Sequence, residues 1–152
     1  MVAVNGIWDL PPVDAMLKRG ALKGKMMFKD LSCKMFIHTD KKTDEFVAHI
    51  EEIVRVKCDE FRTFENDYFA ADVLLNKWYD EHKHTVFPDG FLYYKYLLKF
   101  ECIDKNKEKD YIAFLHSFMS VLWEMNMKVV AACDFEEKLP RHGGYGQQIN
   151  YS

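Results

Sequence analysis

The stretch YFAADVLLN, residues 68 to 76, decides the fold, because it satisfies two periods at once. Taken alternately, Phe69, Ala71, Val73 and Leu75 fall on one side and Tyr68, Ala70, Asp72, Leu74 and Asn76 on the other, as in a β-strand. Taken at helical spacing, Phe64, Tyr68, Ala71, Leu75 and Trp78 form an apolar stripe. The sequence downstream favours the strand. Pro88-Asp89-Gly90 is a turn signal, and Phe91 to Cys102, dense in Phe, Tyr and Leu, reads as a strand that needs a neighbour. A long hairpin between the two stretches supplies that neighbour.

Working outward, Cys33, Met35, Ile37 and Thr39 alternate with Lys34, Phe36 and His38, which predicts a first strand with one buried face. Thr43 follows as an N-cap, with Asp44 and Glu45 behind it, and Phe46, Val47, Ile50, Ile53 and Val54 predict a helix running to about Lys57. On the other side, Tyr111, Ile112, Leu115, Phe118, Met119, Leu122 and Trp123 predict a second helix that Asn126 ends. Lys128 to Asp134 is a fourth strand, apolar on both faces. The order strand, helix, strand, strand, helix, strand predicts an α+β, ferredoxin-like βαββαβ fold: a four-stranded antiparallel sheet with both helices on one face. Right-handed crossovers then place strand one centrally, beside strands three and four. Residues 1–32 form an N-terminal extension expected to pack through Ile7, Trp8 and Met16, residues 33–135 the single domain, and residues 136–152 a tail.

Composition fits that size. A chain of 152 residues, 49% hydrophobic and 30% charged, can bury a core without metal or disulfides. No window is apolar for long enough to span a membrane, and the N-terminus lacks the basic and apolar regions of a secretory signal. Cys33, Cys58, Cys102 and Cys133 are widely spaced, so they are expected to be reduced thiols in a cytoplasmic protein, with neither zinc nor disulfide. With 21 Lys+Arg against 24 Asp+Glu the net charge is -3, which argues against nucleic acid as a partner.

The blocks FPDGFLYYKYLLKFE (87–101) and VVAACDFEEKLPRHGGY (129–145) resemble paired blocks in small uncharacterised bacterial proteins of the size of immunity proteins. The resemblance implies a bacterial accessory protein and carries over no activity and no site residue.

The expected topology gathers the cysteines at one end of the sheet, with an acidic rim around them. Asp59, Glu60, Asp134, Glu136 and Glu137, joined by Glu101 and Asp104, could meet a partner protein with a basic surface. The opposite end carries Trp78, Asp80, His82 and His84 on the long loop, with His38, Asp40 and Asp89 nearby, a candidate ligand loop. His-x-His on a loop lacks the two-ligands-on-one-face logic of a helical metal motif, so no metal or other cofactor is expected. HGGYG (142–146) has neither a following helix nor a Lys behind it, unlike a phosphate-binding loop. No nucleophile has a recognisable base, so no catalytic residue is assigned. Aromatic density on both faces of strand three predicts a cover for the helix-free face: the N-terminal extension, a second copy in a homodimer, or another protein. The expectation is a non-enzymatic protein-binding module of the immunity or inhibitor kind. The alternative is a ligand-binding regulatory domain, or a small enzyme, with its pocket between the sheet and the His82/His84 loop.

Overall fold

A computed structural model describes residues 30–86 and 89–144; the expected contacts of Ile7, Trp8 and Met16 lie outside them. The chain is α+β. Strand β1 (Cys33–His38) buries Cys33, Met35 and Ile37 on one side. Helix α1 (Thr43–Val54) opens on Asp44 and Glu45, whose charge suits the positive end of the helix, and buries Phe46, Val47, Ile50, Ile53 and Val54. It stops short of Lys57 because Arg55 turns left-handed (φ 58°) and the Glu51 carboxylate accepts the Cys58 N–H at 3.1 Å. Strands β2 (Thr63–Glu65) and β3 (Phe69–Leu75) follow, then β4 (Tyr96–Cys102), helix α2 (Glu108–Glu124) and β5 (Lys128–Ala132). Helix α2 ends before Asn126, which takes the left-handed conformation (φ 64°) that Asn tolerates.

The stretch 68–76 is therefore a strand over Phe69–Leu75, paired antiparallel with Tyr96–Cys102. The sheet has five strands rather than four, in the order β2-β3-β4-β1-β5 and antiparallel throughout. The additional strand β2 is only three residues long. Asp59 Oδ1 accepts the Phe61 and Thr63 N–H groups (2.8 and 3.0 Å), and Asn66 Oδ1 accepts those of Tyr68 and Phe69 (2.8 and 3.0 Å). These side chains turn the backbone into and out of the short strand, a signal that hydrophobic period does not carry.

Strand three was expected from Phe91, yet residues Asp89–Tyr93 form a 3-10 helix and the ladder begins at Tyr96. Asn76 explains the difference. Its side-chain amide donates to the Leu92 and Tyr94 carbonyls (2.8 and 2.7 Å) and its Oδ1 accepts the Trp78 N–H (3.1 Å), so it captures backbone groups that pairing would otherwise use. The alternation is broken there: Tyr96, Leu98 and Phe100 face the helices, while Tyr94 goes to the other side.

One core holds β1, β3, β4 and β5 against both helices, with Tyr96 stacked on Phe46 (4.2 Å between centroids) and Phe100 edge-on to Phe118 (5.5 Å). On the opposite face Phe91 and Tyr94 cover Val130 and Phe36. The connection from β3 to β4 thus supplies part of the cover expected from outside. Packing also reaches beyond 33–135: the Leu31 carbonyl accepts the Tyr111 hydroxyl at 2.6 Å, and Leu139 is buried. Gly143 and Gly144 (φ 77° and 96°) lie against β5, where a Cβ on Gly143 would fall 2.7 Å from the Ala131 carbonyl oxygen and one on Gly144 would collide with that of Val129. These two glycines of HGGYG serve close backbone approach to a strand edge. Among the described residues no helix is long and apolar enough to cross a membrane.

Candidate functional site

The helix-free face is built in rows. The register places Leu74, Leu97, Phe36 and Val130 side by side across β3, β4, β1 and β5, and the next row is Asp72, Lys99, Lys34 and Ala132. Val130 and part of Phe36 lie under Phe91 and Tyr94. Leu74, Leu97, Lys99, Lys34 and the rest of Phe36 floor an open groove of about 770 Å³. Sheet residues Lys34, Phe36, Leu74, Leu97 and Lys99 form one side, and Leu75, Asn76, Lys77, Trp78, Leu92 and Tyr93 of the long connection form the other. Leu75 and Trp78 are 58% and 64% exposed, an uncommon state for side chains of this size that lie next to one another.

The charge is one-sided. A chain of net charge -3 lines this groove, among the described residues, with three lysines and no carboxylate. Lys34 and Lys99 stand directly opposite each other on adjacent strands, an arrangement that destabilises a sheet. Asp72 lies across from Lys99 on β3, but its carboxylate accepts the Thr63 hydroxyl at 2.6 Å, and among the described ion pairs it has none. Lys77 rests over the Trp78 ring, 5.4 Å from its centroid.

The outer wall is held by Asn76 and by a latch of rings. His84 stacks on His38 at 4.0 Å between centroids, with Tyr79 and Tyr94 at 6.0 and 5.6 Å from His38. Burial, reinforced by His84, Lys128 and Lys95 and opposed by Asp40, lowers the His38 pKa to about 4; burial also lowers that of His84. Both Nδ1 atoms are buried, and among the described residues neither has a hydrogen-bond partner.

Of the ligand loop read from sequence, Trp78 lines the groove and His84 belongs to the latch. Asp80 instead caps the loop: Oδ1 accepts the His82 and Lys83 N–H groups (2.8 and 2.9 Å), and these bonds hold its pKa below the usual carboxylate value. His82 is exposed. The two histidines therefore do not act as a pair. Among the described residues, no three His, Cys, Asp or Glu side chains are placed to hold a metal ion.

Several carboxylates of the acidic rim serve their own turns. Asp59 binds the backbone described above, Asp104 Oδ1 accepts the Asn106 N–H (2.9 Å), and Glu136 Oε2 accepts the Cys133 N–H (3.0 Å). Glu60, Asp134 and Glu137 are exposed. Burial, reinforced by the nearby Cys33, Cys102 and Cys133, raises the Tyr111 pKa, whereas Cys58 sits beside Glu51. Sequence reasoning missed Lys34, Lys99, Phe36, Leu74 and Leu97 as one surface. Comparisons with protein-family models, with curated proteins and with solved structures found no match for the chain.

Proposed function

We propose that this chain is a non-enzymatic binding module whose ligand is a small amphipathic anion, an acidic head on an apolar or aromatic body, held in the groove between the sheet and the long connection. The observation that carries the reading is Lys34 directly opposite Lys99 at the edge of an apolar floor, while Asp72, the carboxylate in their row, is held by the Thr63 hydroxyl and enters no described ion pair. A like-charge pair that no described ion pair relieves suits a site that an outside group completes. The volume lies in the range of small-molecule sites, roughly 300 to 1,000 Å³. Among the described residues the lining contains no carboxylate, histidine or cysteine, the groups that most often perform acid-base or nucleophilic chemistry, which supports binding without turnover.

This reading is the ligand-binding alternative drawn from the sequence, moved from His82 and His84 to the lysine row. The acidic rim receives less support because Asp59, Asp104 and Glu136 already hold backbone N–H groups. We read the architecture as a ferredoxin-like core, β1-α1-β3-β4-α2-β5, with β2 added at one edge, and a reducing cytoplasmic setting suits its four free cysteines.

Calorimetric titration with naphthalene-1-sulfonate, and with naphthalene-1-methylammonium as its cationic counterpart, tests the reading. The anion should bind, weaken as salt shortens the Debye length below roughly 10 Å, and lose severalfold affinity in Lys34→Ala with Lys99→Ala. Equal binding of the cation, or an unchanged double variant, sinks the proposal. A homodimer seated on the groove would instead make probe binding fall as protein concentration rises.

A further inference from the structure

Cys33 and Cys133 occupy the next register position beyond Lys34 and Ala132, the last pair of the β1–β5 ladder, so they face each other across the two strands. The Cys133 N–H goes to Glu136 Oε2 at 3.0 Å and takes no part in the ladder. In an antiparallel sheet, opposed residues that exchange no backbone hydrogen bonds have the closest Cα atoms, about 4.5 Å apart, and their side chains approach most closely. That separation is within the range a disulfide spans, about 4.4 to 6.8 Å. The neighbouring Cys133 thiol is the largest cause of the raised pKa of Cys33. They differ in access: Cys33 is 1% exposed, while Cys133 is only half-buried.

We infer that Cys33 and Cys133 form a reversible redox pair, closed to an intramolecular disulfide by a low-molecular-weight disulfide such as oxidised glutathione. Cys133 loses its proton to solvent, and its thiolate attacks one sulfur of the oxidant, displacing one small thiolate and leaving a mixed disulfide. Cys33 then loses its proton to solvent and attacks the Cys133 sulfur. That bond forms as the mixed disulfide breaks, and a second small thiolate leaves; each takes up a proton, so two protein thiols are oxidised and one small disulfide is reduced. The Cys33 proton is held first by the neighbouring Cys133 thiol, then by burial and by the Glu136 carboxylate, which keeps the closing step slow at neutral pH and makes it faster as pH rises. Cys102, whose thiol donates to the Asp104 carbonyl at 3.3 Å, and Cys58, beside Glu51, have no facing thiol and take no part.

The test equilibrates the reduced full chain with graded ratios of oxidised to reduced glutathione, blocks free thiols with N-ethylmaleimide, and maps the products by mass spectrometry. The expected result is loss of two alkylatable thiols and a peptide pair joined through Cys33 and Cys133, unchanged in Cys58→Ala with Cys102→Ala. Four alkylatable thiols at every ratio, a link through Cys58 or Cys102, or glutathione left on Cys133 as the end product would each overturn the inference.

Discussion

His38 is a histidine kept uncharged by its surroundings: one face stacks on His84, and its partly buried ring lies near the ammonium groups of Lys128 and Lys95. Its folded pKa of about 4 lies below the ordinary 6.5, so between those values the unfolded chain binds a proton that the folded chain does not. Stability from this group is complete above pH 6.5 and declines as pH falls toward 4, in the same direction as for His84. His38→Phe keeps a ring against His84 and removes the titration, so its Tm should fall less than that of the parent across this window. Parallel Tm profiles would place the acid sensitivity elsewhere. Asn76 is the second residue with an outsized role. Asn76→Ala leaves the Leu92 and Tyr94 carbonyls without their donor, at about 1 to 3 kcal/mol for each buried group, and should weaken probe binding by loosening the groove wall. Neither role was legible in the sequence, because both depend on groups brought together from distant positions. The same holds for Lys34 and Lys99: their shared face follows from alternation, but their opposition requires the register.

Among the elements, those with a long unbroken period were legible. Helix α2 shows its core stripe directly, and Leu115, fully buried in it, should cost about 2 to 5 kcal/mol when changed to Ala, measured by denaturant unfolding. Strand β1 was equally plain, and β3 was recovered only because its partner downstream argued for it. What the pattern concealed was set by single polar side chains. Asp59 and Asn66 shape the turns around β2, and Asn76 draws Asp89–Tyr93 out of the ladder, although the aromatic composition of that stretch favours a strand. Glu136 belongs to the same class: Glu136→Lys removes the acceptor of the Cys133 N–H and should destabilise the chain, whereas Glu137→Lys, at an exposed position, should change stability by under about 0.5 kcal/mol. Equal unfolding midpoints for the two variants would return Glu136 to the surface.

For the molecule as a whole, the class and the central place of the first strand followed from element order and crossover handedness, while the groove did not, since it arises between a sheet face and a connection whose path no period describes. The sheet is closed off at both sides by brevity and by cover: β2 is three residues long, and Gly143 and Gly144 lie against β5. Its centre has a different consequence, which concerns synthesis. On the ribosome β1 emerges first, yet Cys33 must wait for Phe100 and Lys34 for Ala132 before either side of the strand is paired. At roughly 5 to 20 residues per second, the nascent chain carries Met35, Phe36 and Ile37 unpaired for several seconds. Such long-range closure belongs to the slower range of folding rates, milliseconds to seconds, and leaves a sticky intermediate that a hydrophobic-binding chaperone would recognise. A chain released after Asn126, lacking β5, should accordingly collapse without a cooperative unfolding transition and should be retained by such a chaperone, while the full chain is let go.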